Sequence, residues 1–310
     1  MDGGRSRQIT SHDSMPDKPD LFRLGVGILG IGTSGPLIAL SAMPVPTLIF
    51  WRNLGGAIVT APFALRHLHR RDLAARTGVK WSILAGVLLA LHFSGFFLAM
   101  RMTTVAAGTG IVALQPIFAA LFVKVSGGHI PSRAWLGMFV SFAGVLLVSG
   151  VDLNISFRSF LGDLAAFTSA ALAALYMIVG ARAQETVETT TYTAICYFIC
   201  ALTVLPFSLL NSLQIFHFTA KEWWIVAGLI LGAQILGHTM FNSTLKRVSP
   251  AIVSLVIFFE VPVSSILAFW WLGQRPNVWV IPGIAMILFG CALVVLRARP
   301  SKMSRLEVLT

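Results

Sequence analysis

Ten predominantly apolar stretches, each close to twenty residues long, follow one another along the chain. They run over 22–40, 46–65, 81–100, 103–123, 133–150, 160–180, 190–210, 222–244, 249–271 and 277–297. About twenty such residues in a helix cross the hydrocarbon layer of a bilayer. Inside that layer the backbone must satisfy its own hydrogen bonds, which a helix does and an open loop does not. The pattern therefore predicts an all-α integral membrane protein with ten transmembrane helices and short connections. Composition closes the other routes. Charged residues are 11% of the 310 positions, against about 25% in a typical soluble domain. That is too few to cover a soluble enzyme, and the same numbers exclude a disordered chain and a coiled coil.

The basic residues set the expected orientation. Eighteen of the 23 Lys and Arg fall on one side. Arg5, Arg7, Lys18 and Arg23 lie in the tail and first helix start, and Arg66, Arg70, Arg71, Arg76 and Lys80 in the second connection. The later even-numbered connections and the C-terminus hold the rest of that set. The opposite side has only Arg101, Arg158, Lys221 and Arg275, and Arg52 lies within the second stretch. Basic loops stay in the cytoplasm, so both termini are expected there. The net charge of +11 then faces anionic lipid and needs no nucleic acid. Residues 1–20 are expected to form a disordered cytoplasmic tail without a cleavable signal, and 299–310 a second tail. Cys196, Cys200 and Cys291 lack metal-ligand spacing and read as small packing residues. No metal or cofactor is expected.

Displacing the chain by 146 residues lays Gly86 on Gly232, His92 on His238 and Arg101 on Arg247. It also lays Pro116 on Pro262, Gly127 on Gly273, Gly137 on Gly283 and Gly144 on Gly290. Two repeats are thus expected, over 21–152 and 153–298. Each holds five spans, an odd number, so the second must enter the bilayer from the opposite side. Such inverted repeats place substrate near the midplane, between the halves.

Several of these residues carry a family resemblance. The run Gln115-Pro116-Ile117-Phe118-Ala119-Ala120-Leu121-Phe122, followed by Gly127, Gly137, Gly144 and Val145-Leu146-Leu147-Val148, resembles the end of a repeat in the drug/metabolite transporter superfamily, EamA type. Glu260-Val261-Pro262-Val263 with Gly273, Gly283 and Gly290 is similar, and Gly162-Asp163-Leu164 resembles the opening of a second half. The resemblance covers about residues 20–298. It implies ten helices as 5+5 and export of small metabolites, often amino acids, and its general texture is similar to bacterial aromatic amino acid exporters. Leu114 stands opposite Glu260, so the acidic residue has no twin.

Ionisable groups at membrane depth are costly and need a reason. Glu260, near the middle of the ninth stretch, is a candidate for binding a substrate ammonium or a coupling proton. The bland alternative is a protonated acid bonded to a neighbouring helix. His92 and His238 occupy matched positions and are candidates for substrate binding, with His92 also a candidate proton relay. Interhelical hydrogen bonding is the alternative for both. Gln115 and Tyr176 complete the polar candidates, with Gln234 and Asn242 as weaker ones. Pro116 and Pro262 are expected hinges, because proline removes a helical hydrogen bond. Phe96 belongs to an expected aromatic wall with Phe93, Phe97, Phe118, Phe258, Phe259 and Tyr176. Arg52 reads either as a side chain snorkelling to the interface or as a contact for a substrate carboxylate.

The string Gly25-Val26-Gly27-Ile28-Leu29-Gly30 matches a dinucleotide fingerprint but lies inside a membrane helix, where it reads as a packing face. There is no Walker A lysine motif and no clustered acid/base or metal constellation, so catalytic residues are not expected. Asn154-Ile155-Ser156 is a glycosylation sequon in an expected outer loop. The leading expectation is a multi-pass, non-enzymatic secondary transporter of the bacterial inner membrane. Its substrate is a small molecule, most plausibly amino acids including aromatic ones, and its architecture is compatible with a monomer. A passive channel and a membrane enzyme acting on lipid are the alternatives.

Overall fold

Several polar side chains lie within the apolar core of this protein, and large apolar ones cover its exterior, the reverse of a soluble surface. Arg52, Asn53, Gln234 and Ser264 are fully buried, while Leu29, Ile58, Phe139, Phe207 and Phe289 are exposed on the outside. That inversion suits a chain whose solvent is hydrocarbon. It appears in a computed structural model that describes residues 16–65, 73–127, 131–149, 156–248, 252–253, 256–275 and 280–295.

All regular structure among the described residues is helical. Helices α1 (Lys18–Gly32) and α2 (Ser34–Leu40) form the first span. Helices α3 (Val45–Leu65) and α4 (Leu73–Met102) are the next two. The fourth span is divided into α5 (Val105–Val112) and α6 (Gln115–Val125), and α7 (Ser132–Ser149) is the fifth. Helices α8 (Phe157–Ala183) and α9 (Thr189–Leu210) follow. The eighth span has three parts: α10 (Ala220–Gly228), a π-helix (Leu229–Thr239) and α11 (Met240–Thr244). A 3-10 turn (Ile257–Phe259) leads into α12 (Glu260–Leu272), and α13 (Val280–Val295) is last. Seven of these segments are long and apolar enough to cross a membrane, and three shorter apolar helices stand where the fifth, ninth and tenth spans are expected. The protein is a ten-helix, multi-pass membrane protein.

The first helix starts earlier than the sequence predicts. The Asp17 carboxylate accepts from the Asp20 amide at 2.8 Å and caps α1. Residues 18–20 of the expected disordered tail are therefore helical. The rest of that tail up to residue 15, the tail 299–310 and the Asn154 end of the sequon lie outside the described residues, while Ser156 caps α8.

Helix pairing shows the pseudo-two-fold relation. Extensive contacts join α4 with α8, α7 with α13, α3 with α9, and α1 with the π-helix. Exchanging the halves sends the pairs α3/α9 and α7/α13 onto themselves and α4/α8 onto the eighth and first spans. The crossing of α7 and α13 gives the direction. A Cβ added at Gly144 would lie 2.6 Å from the Gly283 carbonyl oxygen, and one at Gly290 would lie 2.5 Å from that of Gly137. As the residue number rises on one helix it falls on the other, so the two equivalent helices are antiparallel and the repeat is inverted. Lipid offers no hydrophobic drive for helix association, so close backbone approach through small residues carries the packing. Gly30 does the same between α1 and the π-helix, 2.7 Å from the Gly232 oxygen by the same construction.

Two more matched glycines share a backbone reason. Gly127 has φ +84° and Gly273 φ +67°. Both end a helix in the left-handed region, where glycine alone carries no Cβ penalty.

Candidate functional site

Helix breaks bring polar groups to the centre of the bundle. Residues 113–114 interrupt the fourth span, so Gln115 and Pro116 open α6 rather than sitting mid-helix. Proline at a first turn loses no hydrogen bond the helix needs. The equivalent break in the second half is the 3-10 turn Ile257–Phe259, which places Glu260 at the start of α12 and Pro262 within its first turn. Both expected hinges are thus helix starts. The first span breaks at Thr33, whose hydroxyl donates to the Gly30 carbonyl at 2.7 Å. The eighth span widens into eleven residues of π-helix, a form often found at functional sites.

These breaks frame a narrow cavity of about 30 Å³. His92, Phe96, Gln115, Tyr176, His238 and Glu260, all expected site residues, line it. Ser34, Phe93, Phe241 and Asn242 join them. The wall draws on both halves, and the equivalent residues His92 and His238 face the same space. His92 Nδ1 lies 3.0 Å from the Ser169 carbonyl oxygen and 2.8 Å from the Ser169 hydroxyl, which itself donates to the His92 carbonyl. A carbonyl only accepts, so Nδ1 carries a proton. In the neutral ring Nε2 is then the acceptor. The His238 ring meets Phe93 edge-on at 5.2 Å and Tyr176 at 6.3 Å. The Tyr176 hydroxyl sits between the amide atoms of Asn242, 3.0 Å from Oδ1 and 2.8 Å from Nδ2. Gln115 donates to the Met177 thioether.

Two expected site features fall elsewhere. Gln234 does not line the cavity: its Oε1 accepts from Arg52 Nε at 2.7 Å and its Nε2 donates to Asn53 Oδ1 at 2.9 Å. Of the expected aromatic wall, Phe93, Phe96 and Tyr176 line the cavity, but Phe97, Phe118, Phe258 and Phe259 do not. Phe118 packs edge-on against Phe167 at 5.2 Å, and Phe258 is buried in the cluster between α7 and α13. Arg52 does not snorkel. It is fully buried, bonded through Nη1 to Ser34 Oγ at 3.2 Å, with its guanidinium 4.1 Å from the Phe93 ring centroid. Arg52 and Glu260 influence each other electrostatically, yet they form no direct ion pair. Asn53 and Ser34 escaped the sequence reading. Asn53 had a signal, a second polar residue beside Arg52 in an apolar run. Among the described residues no cluster of three metal-ligating side chains exists.

Both ends of the bundle are fastened. At the end with the basic connections, Arg247 grips Asp20 through Nε–Oδ2 at 2.9 Å and Nη2–Oδ1 at 2.5 Å, tying α1 to the residues after α11. Lys246 pairs with Glu188 at 2.7 Å there. At the other end the Glu222 carboxylate accepts from Ser41 Oγ at 2.5 Å and from the Ala42 amide at 2.9 Å. Arg101 Nη2 donates to the Met43 carbonyl at 3.0 Å.

A helical membrane protein that holds a cavity with a few polar groups between inverted halves has the architecture of a carrier. The chain belongs to the EamA-like transporter family, which matches residues 21–150 and again 160–296. It is a membrane transporter of the EamA type within the drug/metabolite transporter superfamily. Relatives include an uncharacterized transporter of Archaeoglobus fulgidus, 24% identical over 230 residues, covering 72% of this chain and 79% of the relative. The uncharacterized transporter YyaM of Bacillus subtilis is 26% identical over 251 residues, covering 77% and 81%. The pseudopaline exporter CntI of Pseudomonas aeruginosa is 23% identical over 283 residues, covering 88% and 96%. A crystal structure superposes with a TM-score of 0.73 at 18% identity, over 92% of this chain and 99% of the other, a likeness of fold.

Proposed function

We propose that this protein is a secondary carrier of the bacterial inner membrane that exports small metabolites, most plausibly amino acids including aromatic ones, by alternating access. One observation carries the reading: the cavity is walled by residues of both halves and combines aromatic rings with Glu260, while the buried Arg52 lies behind the wall residues Ser34 and Phe93. Phe93, Phe96, Tyr176 and Phe241 suit an apolar or aromatic side chain. Glu260 suits an ammonium, with Glu260 and His92 as the groups to hold a coupling proton. A single buried arginine argues against phosphorylated and nucleotide-sugar substrates. Export is the direction named for one relative, a pseudopaline exporter. Pro116 and Pro262, each just inside a helix start, are the proposed hinges. Residues 21–152 and 153–298 are the proposed repeats, with both termini in the cytoplasm.

The test is counterflow of labelled amino acids in proteoliposomes, with and without a pH gradient. Saturable exchange is expected for an aromatic amino acid. Flux that neither saturates nor shows counterflow makes the protein a channel. Turnover of a lipid without transport makes it an enzyme.

A further inference from the structure

Arg52 has more hydrogen-bond donors than its surroundings use. A guanidinium carries five N–H groups. Nε donates to Gln234 and Nη1 to Ser34, while Nη2 is buried without a partner. The side chain is 0% exposed, so water at the surface does not complete the set. A buried charge with unmet donors is expensive to maintain, yet the surrounding groups hold this one in place. The Gln234 amide is oriented by a chain of donors: Asn53 Nδ2 donates to the Ile49 carbonyl at 2.9 Å, leaving Asn53 Oδ1 to accept from Gln234 Nε2. That leaves Gln234 Oε1 facing Arg52. Phe93 covers one face of the guanidinium plane.

The two groups that separate Arg52 from the cavity, Ser34 and Phe93, are both cavity-wall residues. Ser34 opens α2, directly after the break at Thr33. Glu260 is on the same cavity wall. One fixed cation and one carboxylate sum to zero. A ligand bearing one charge of each sign is matched group by group, whereas a phosphate dianion would leave uncompensated charge in a low-dielectric site.

We propose that Arg52 is the carboxylate anchor of the transported molecule, its unused guanidinium edge taking the acid group while Glu260 takes the ammonium, so that the substrate is a zwitterion. This rests on the amino acid reading above and names the residues that would enforce it. Gln234 and Asn53 are positioning residues that act through Arg52.

Purified wild-type protein would be titrated with phenylalanine, phenylalaninamide, 2-phenylethylamine and 3-phenylpropionate, reading ligand-dependent thermal stabilisation. Phenylalanine is expected to bind about tenfold to a hundredfold tighter than the amide or the amine, the range of a charge-assisted hydrogen bond. Arg52→Gln should bring phenylalanine down to the level of the amide and leave amide binding unchanged. Arg52→Lys should recover part of the loss. Equal binding of phenylalanine and its amide to the wild type overturns the role of Arg52 alone, and this comparison needs no variant to fold. Binding of 3-phenylpropionate that depends on Arg52, with none of phenylalanine, keeps the anchor and overturns the amino acid reading. Binding of none of the four overturns both.

Discussion

The Ser141 hydroxyl donates to the Ile287 carbonyl at 3.2 Å, and Ile287 is the residue that occupies the position of Ser141 in the other half. A residue touching its own equivalent lies on the axis that relates the halves. The crossing of α7 and α13 is therefore where the pseudo-symmetry is tightest. Cysteines placed at 141 and 287 should cross-link readily under mild oxidation. Failure to link, in protein that is otherwise intact, would contradict the antiparallel crossing.

Bulk at the same crossing should be poorly tolerated. Because the atoms facing Gly144 and Gly290 include backbone, neither neighbour can swing aside. Gly144→Val and Gly290→Val should each lower stability by about 1–3 kcal/mol, the usual cost of overpacking. Thermal unfolding in detergent, followed by size-exclusion, measures this. Gly25→Val is the control, since a Cβ there meets nothing within 4 Å.

The placement of basic residues predicts labelling from one side. Single cysteines near Arg5 and Arg305 should both react with a membrane-impermeant maleimide only in inside-out vesicles. Reaction of the two from different sides would break the even number of spans.

Replacing Glu260 by Gln keeps the shape of the side chain and removes its charge. Transport, or its dependence on pH, should be lost while the protein still inserts and folds. Wild-type rates and pH profile in Glu260→Gln would remove this residue from the mechanism.

The Glu222 clasp holds the connection after α2 closed over the end opposite the basic connections. Glu222→Ala leaves the Ser41 hydroxyl and the Ala42 amide without their acceptor, a loss of about 1–3 kcal/mol. Met43, only 1% exposed, should then open more often. Met43→Cys should react faster with an impermeant maleimide in the Glu222→Ala background than alone.

The Asp20–Arg247 pair should stabilise without depending on pH near neutrality. The Asp20 carboxylate raises the pKa of the Arg247 guanidinium above its ordinary value. A group raised in the folded state contributes fully below its unfolded pKa and loses that contribution as pH rises through the folded one, far above neutrality. Arg247 is 45% exposed, so Arg247→Gln should cost about 1 kcal/mol or less, with a flat difference in unfolding temperature across neutral pH.

The spans, their number and the 146-residue repeat were legible because apolar length and glycine position are properties of sequence alone. The shared cavity of His92 and His238 was legible through the repeat. Helix rotation was not. In a bilayer a helix face turned to lipid and one turned to a neighbour are both apolar, so nothing in the sequence distinguishes Phe96, on the cavity, from Phe118, against Phe167. The π-helix was also hidden. No residue type encodes that widening, and it coincides with the close packing of Gly232 and Gly237 against the first span. Sequence leaves Arg52 open between snorkelling and a buried role, because its partner Gln234 lies 182 residues away in the chain.

Arg52 and Glu260 come from different halves, and the repeat puts Leu114 where the twin of Glu260 would stand. The two conformations of such a carrier, alike in backbone, are therefore unlike in field. In the alternating-access reading proposed above, rocking the halves would turn this pair of opposite charges against the membrane normal. A full elementary charge moved through 100 mV is worth about 2.3 kcal/mol, so even a fractional displacement makes the resting potential favour one side. In the carrier proposed above, this uneven charge would set which compartment the empty protein faces at a given membrane potential.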